Sequence, residues 1–192
     1  MHNSTQTLNQ NYTMDQNELK NIVSHFAIRG TVADIKPLGA GLINDTLLVT
    51  TAEADAPNYV LQRVNTNVFP DVDLVMRNIY AVTTHIRQKL EAAGETEIDR
   101  KVLTFMPAKD DETKLYAIVD GQYWRMMIFI ENAVTKQAVN PESSRAAGKA
   151  FGQFQAMLAD IPVELGETIK DFHNMEFRLQ QLRKVLARDP VG

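Results

Sequence analysis

The chain has no cysteine in its 192 residues. That excludes disulfides, thiolate metal sites and a thiol nucleophile, and it suits a reducing compartment, so the cytoplasm is the expected location. No apolar run approaches the roughly 18 residues of a membrane span, and the first dozen residues lack the basic and apolar regions of a signal peptide, so no membrane partner is expected. Positive charge is also scarce: the formal net charge is −4 and the pI about 5.6. Without a broad basic field the chain does not read as a nucleic-acid binder, although local arginines can still hold small anions. The four histidines, His2, His25, His85 and His173, are isolated and show no metal-ligand spacing, so each reads as structural or exposed and no metal site is expected among them. Asp110 and Asp111 lie in a turn-forming run and read as a solvated hairpin tip.

Hydrophobic residues make up 44% of the chain, enough for a sizeable core in one domain, or in one domain and part of a second. Residues 1–14 are expected to be a disordered tail, because the Asn, Gln, Ser and Thr that dominate them offer little apolar surface against their ordering entropy. Leu19, Ile22, Val23 and Phe26 recur at helical spacing and predict a short helix, closed by Gly30. Strands are expected over 32–38, 45–50 and 58–64. Val72, Val75, Met76, Ile79, Val82, Ile86 and Leu90 then predict a long helix ending at Gly94. Residues 101–108 and 115–119 read as the arms of a hairpin, and 123–130 as the last strand of a β-β-β-α-β-β order. Asn140 and Pro141 open a helix with Ala147, Ala150, Phe151, Phe154 and Leu158 as its stripe, and another is expected over about 174–187. Nothing after these two helices covers their apolar faces, which predicts an exposed patch and self-association.

The run Gly39-Ala40-Gly41-Leu42-Ile43-Asn44-Asp45-Thr46 follows the pattern G-x-G-x-x-G-x-V of a nucleotide-covering hairpin. Gly39 and Gly41 stand on the first two glycines, Asn44 on the third and Thr46 on the valine. Asn tolerates positive φ better than most residues, so Asn44 is expected to keep the backbone freedom of a loop lying over phosphates. A two-glycine turn without a ligand is the alternative. In a kinase lobe the third strand carries a lysine that meets the phosphates and a glutamate of the following helix. Here Tyr59-Val60-Leu61-Gln62-Arg63 puts Gln62 in its place, with Arg63 one residue out. The two face opposite sides of a strand, so either Gln62, by geometry, or Arg63, by charge, reaches a nucleotide. The alternative for Arg63 is a surface ion pair with Asp71 or Asp73. The long helix has no Glu before Glu91; Arg77 and Asn78 are its mid-helix candidates for substitute polar contacts.

Tyr123 to Glu131 has the form of a last strand entering a hinge. Backbone groups of Phe129, Ile130 and Glu131 would meet an adenine edge, with Met127 or Ile128 lining the pocket behind it; the alternative is an ordinary buried strand whose methionines fill gaps. Trp124 reads as core. The candidate nucleotide-binding set is therefore Gly39, Ala40, Gly41, Asn44, Thr46, Val60, Gln62, Arg63, Met127, Ile128, Phe129, Ile130 and Glu131.

Together the glycine run, the segment Tyr59-Val60-Leu61-Gln62-Arg63-Val64-Asn65-Thr66-Asn67-Val68-Phe69, Tyr123-Trp124-Arg125 with Phe129-Ile130-Glu131, and the helix Ala147-Gly148-Lys149-Ala150-Phe151-Gly152-Gln153-Phe154 resemble the aminoglycoside phosphotransferase-like family. Sugar kinases of the N-acetylhexosamine kinase kind are the nearest look-alikes. The resemblance covers about residues 15–188 and implies an α+β fold: a kinase-like small lobe over 15–131, with a five-stranded antiparallel sheet and a helix, then the first helices of a large lobe over 132–192. It implies ATP between the lobes and a small sugar substrate. The family's His-x-Asp catalytic loop and metal-binding Asp have no counterpart here, so catalytic residues and Mg2+ ligands are expected beyond residue 192, and this portion alone is expected to be inactive. The runner-up is a non-catalytic protein of the same fold that binds a nucleotide or a partner. An unrelated α+β interaction module is the third reading.

Overall fold

The computed structural model describes residues 14–39, 43–134 and 140–188. Their architecture is α+β: four α-helices and a five-stranded antiparallel sheet. In chain order the elements are α1 (Gln16–Ser24), β1 (Val32–Pro37), β2 (Asp45–Thr51), β3 (Tyr59–Arg63), α2 (Val72–Ala92), β4 (Ala117–Val119), β5 (Gln122–Ile128), α3 (Pro141–Leu158) and α4 (Met175–Arg188). A single 3-10 turn, Ile98–Arg100, follows α2. The sheet order is β1-β2-β3-β5-β4, so β5 returns between β3 and the edge strand β4.

Local chemistry sets the helix starts. Glu18 accepts the Asp15 amide at 3.0 Å ahead of α1, and Asp71 Oδ1 accepts the Leu74 amide at 2.8 Å at the head of α2. Asn140 and Ser143 cap α3 reciprocally, the Ser143 amide donating to Asn140 Oδ1 at 2.8 Å and the Asn140 amide to Ser143 Oγ at 2.9 Å, while Pro141 fills the first turn, where no backbone donor is needed.

Two expectations fail here for backbone reasons. α1 ends at Ser24, with His25 as its cap, and Gly30 does not close it. Instead Gly30, at φ +93°, lies against the β2–β3 turn, where an added Cβ would come within 2.7 Å of Ala56 Cβ. Residues 101–108 form no strand paired with 115–119; of the expected hairpin only its tip closes, where the Ala108 amide donates to Lys114 O at 2.9 Å. The Met106 amide donates to Met126 O at 2.8 Å and the Ile128 amide to Thr104 O at 2.9 Å, so 104–106 extends the edge of β5 beyond β4. Pro107 has no amide to continue such a ladder, and the chain turns there to the segment after α1, where the Ala27 amide donates to Pro107 O at 3.0 Å and the Lys109 amide to His25 O at 2.8 Å. The last strand also stops at Ile128, short of the expected position 130.

Alternation along the strands divides the core. One face buries Ile35, Val49, Tyr59, Leu61, Trp124 and Met126 against Leu19, Ile22, Val23 and Phe26. The other meets α2 through Val72, Val75, Met76, Tyr116 and Val64. Tyr116 donates to Asp73 Oδ1 at 2.5 Å, and burial, then that hydrogen bond, push its phenol well above the usual range. A third cluster, Ile86, Leu90 and Val102 with Met157 and Leu158, joins the end of α2 to the end of α3. Beyond that seam α3 and α4 bury no residue, and Phe151, Met175 and Leu186 are 71%, 76% and 67% exposed. Among the described residues no helix is long and apolar enough to cross a membrane.

Candidate functional site

Strand register sorts the candidate residues by face. Thr46 stands opposite Gln62, and Gln62 opposite Arg125; in the next row but one Leu48, Val60 and Met127 stand opposite one another. Cross-strand partners point to the same side. Thr46, Val60, Gln62 and Met127 therefore share the face against which α2 packs. Arg63 pairs with Asp45 and Trp124, and Ile128 with Tyr59, all on the α1 face. The two alternatives on β3 are thus separated: Gln62 faces α2, and Arg63 faces away. Arg63 forms its ion pair with Asp45, not with Asp71 or Asp73, its Nε donating at 2.7 Å and its Nη2 to the same carboxylate oxygen. Arg63 also lines a cavity of about 510 Å³ beside Glu18, Asn21 and Asp120. Met127 lies on the α2 face, whereas Ile128 packs with the α1 core.

On the α2 face the polar side chains form one chain of hydrogen bonds. Gln62 Nε2 donates to Thr46 Oγ1 at 3.0 Å; Arg125 Nε and Nη2 donate to Gln62 Oε1 at 3.0 and 2.9 Å. The Arg125 guanidinium also lies 5.7 Å from the Phe105 ring centroid and 3.9 Å, through Nη1, from Met76 Sδ. Burial lowers its pKa from the ordinary arginine value. Sequence reasoning missed Arg125 as a charge carrier. The signal was its even spacing from Met127, but only the register of β5 against β3 brings it beside Gln62.

The glycine run is pinned at its base. The Leu38 amide donates to Thr46 O at 2.9 Å, and Gly39 takes φ +71°, with no atom of the described residues beyond its chain neighbours within 4 Å of the Cβ it lacks, so among these residues it is the backbone conformation that calls for glycine. Ala40 and Gly41 lie outside the described residues. Asn44 does not use the left-handed region that asparagine tolerates; the non-glycine residues that do, among those described, are Glu97, Asp120, Asn132 and Asp171. Its side chain serves instead as an acceptor: Asn44 Oδ1 takes the Asn65 amide at 3.0 Å, and Asn65 Nδ2 donates to Ile43 O at 3.2 Å.

The segment after β5 is held by three contacts. The Phe129 amide donates to Asn58 O at 2.9 Å, Asn58 Nδ2 to Glu131 Oε1 at 2.8 Å, and Arg100 Nη1 to Glu131 O at 2.9 Å. The Ile130 amide and carbonyl and the Glu131 amide carry no hydrogen bond among the described residues. Behind this segment Arg87, Asp99 and Thr104 form a triangle. Arg87 Nη2 and Thr104 Oγ1 donate to Asp99 Oδ1 at 2.8 and 2.7 Å, and Thr104 and then Arg87 hold the Asp99 carboxyl below its usual pKa.

Asn78 and His85 act elsewhere. Asn78 grips the backbone of Gly166, donating to its carbonyl at 2.7 Å and accepting its amide at 3.0 Å, while Arg77 is exposed. His85 and Lys89 both bond Met157 O and Asp160, which fastens the α3–α4 connection along α2 and leaves a groove of about 600 Å³. Asp111 accepts from Thr113, as a turn carboxylate does, and among the described residues no cluster of three or more metal-binding side chains occurs. No protein-family model matches this sequence.

Proposed function

We propose that this chain is the nucleotide-binding part of an ATP-dependent small-molecule kinase with a kinase-like small lobe, resembling the aminoglycoside phosphotransferase-like family and transferring the γ-phosphate to a sugar hydroxyl, with an N-acetylhexosamine as the substrate class. The observation that carries this reading is the grouping of Thr46, Val60, Gln62 and Met127 on the α2 face, between the glycine run and the 129–131 segment. In a kinase lobe the β3 side chain that meets phosphate also faces the following helix, and Gln62 has that orientation. Open backbone groups at Ile130 and Glu131 suit the edge of a purine.

In this reading the 192 residues bind and position ATP. With no His-x-Asp in the sequence, no residue of this chain is assigned to the transfer step or to Mg2+. The exposed apolar faces of α3 and α4 support self-association through those helices.

Calorimetry with ATP and magnesium tests the reading. Gln62→Ala should weaken binding by about tenfold, for the loss of one hydrogen bond in a half-buried site, and Gly41→Val should weaken it because a β-branched side chain restricts the backbone of the glycine run. Wild-type protein that takes up no ATP heat at millimolar concentration would contradict it, and an unrelated interaction module would then be the better description.

A further inference from the structure

We propose that Arg125, reaching across to Gln62, supplies the positive charge that this sheet turns toward the phosphates of a nucleotide. The inference rests on the nucleotide reading above and names the residue that meets the anion. Thr46, Gln62 and Arg125 occupy one cross-strand row on β2, β3 and β5, so their side chains lie side by side on the α2 face. Arginine can only donate, which fixes the Gln62 amide: its oxygen is turned to Arg125 and its nitrogen to Thr46. The residue in the usual lysine position thus carries no charge of its own and instead presents a neighbour that does.

The guanidinium is poorly balanced where it sits. Two of its five N–H groups go to one amide oxygen and a third points at the Met76 thioether, which leaves two. Exposed cations such as Arg77 and Lys109 also go without a carboxylate, but of the part-buried ones among the described residues Arg63, Arg87 and Lys89 each pair with one, whereas Arg125 pairs with none. Its other neighbours, Phe105 and Met76, are apolar. A half-buried cation set among an amide, a ring and a thioether has no counter-ion among the described residues, and burial disfavours its charge. A phosphate oxygen on this face would provide that counter-ion with short, charge-assisted hydrogen bonds. Arg63 cannot substitute, since it lies on the opposite face against Asp45.

The test compares ADP with adenosine by calorimetry on the full chain, as wild type, Arg125→Met and Arg63→Met. The wild type should bind ADP more tightly than adenosine. Arg125→Met should lower ADP affinity by about tenfold to a hundredfold and leave adenosine within about twofold, and Arg63→Met should change neither. Retained ADP preference in Arg125→Met, an equal loss of both ligands, or loss in Arg63→Met would overturn the assignment while the nucleotide reading stands. A wild type that binds neither ligand would overturn both. Should Arg125→Met fail to fold, the Arg125 Nε–H resonance of the wild type decides: it should move with ADP and not with adenosine, and movement with both or with neither overturns the proposal.

Discussion

Asn44 Oδ1 accepts the backbone amide of Asn65 at 3.0 Å, which ties the end of the glycine run to the residue where β3 gives way to the approach to α2. Asn65 returns the contact through Ile43 O, and its own Oδ1 accepts the Asn67 amide at 3.0 Å. The loop is therefore held through side chains at its far end, and left-handed backbone at Asn44 plays no part.

Asn44→Gly distinguishes these two roles. If position 44 needed positive φ, glycine would be neutral or stabilising; because the side chain is the useful part, the variant should lose about 1–2 kcal/mol, from the unpaired Asn65 amide and the added chain entropy. Urea denaturation of the two proteins measures the difference.

Gly30→Ala should cost about 1–3 kcal/mol. The residue sits at φ +93°, and the new methyl would meet Ala56 Cβ at 2.7 Å and Glu53 Oε2 at 2.9 Å, displacing the carboxylate that accepts the Thr31 amide at 2.7 Å. Thermal unfolding reads the loss, and a variant as stable as wild type would show that the turn relaxes freely.

Asp99 gives a pH dependence of known sign. Its folded-state pKa is depressed by Thr104 and Arg87, so its stabilising contribution is present above the ordinary aspartate value of about 3.9 and disappears as pH falls through the lower, folded value. Denaturation of wild type and Asp99→Asn at pH 7, 4.5 and 3 should show a gap that is widest at pH 7 and narrowest at pH 3. A gap that widens on acidification would contradict the triangle.

Arg63→Met and Trp124→Ala should differ sharply in stability. Arg63 forms an ion pair with a mostly exposed carboxylate, worth about 1 kcal/mol or less, whereas Trp124 is 2% exposed at the centre of the α1-face core, where truncation costs about 3–5 kcal/mol. Chemical denaturation of both variants checks the contrast.

Much of the fold was legible because its signals are local. The 3.6-residue recurrence from Val72 to Leu90 and the Asn140-Pro141 start produced α2 and α3 where expected, and alternation marked β1, β2 and β3. Residues 101–108 were misread because Pro107 interrupts a run that is otherwise strand-like, a matter of one missing donor. At the candidate site, residue types and spacing pointed to Gln62 and Arg63 together, but choosing between them needs the register of β3 against β2 and β5. The same register brings in Arg125, 63 residues from Gln62 along the chain. Asn78 shows the opposite case, a mid-helix polar residue whose partner, Gly166, lies 88 residues away and leaves no trace in local pattern.

The central claim is that a nucleotide lies on the α2 face of the sheet, and adjacent methionines on β5 report on it directly. Met127 belongs to the α2 face beside Val60, and Met126 to the α1 face beside Leu61. In a methyl spectrum of methionine-labelled protein, addition of ATP should shift the Met127 resonance and leave Met126 in place. Movement of Met126 alone, or of neither, would contradict the account.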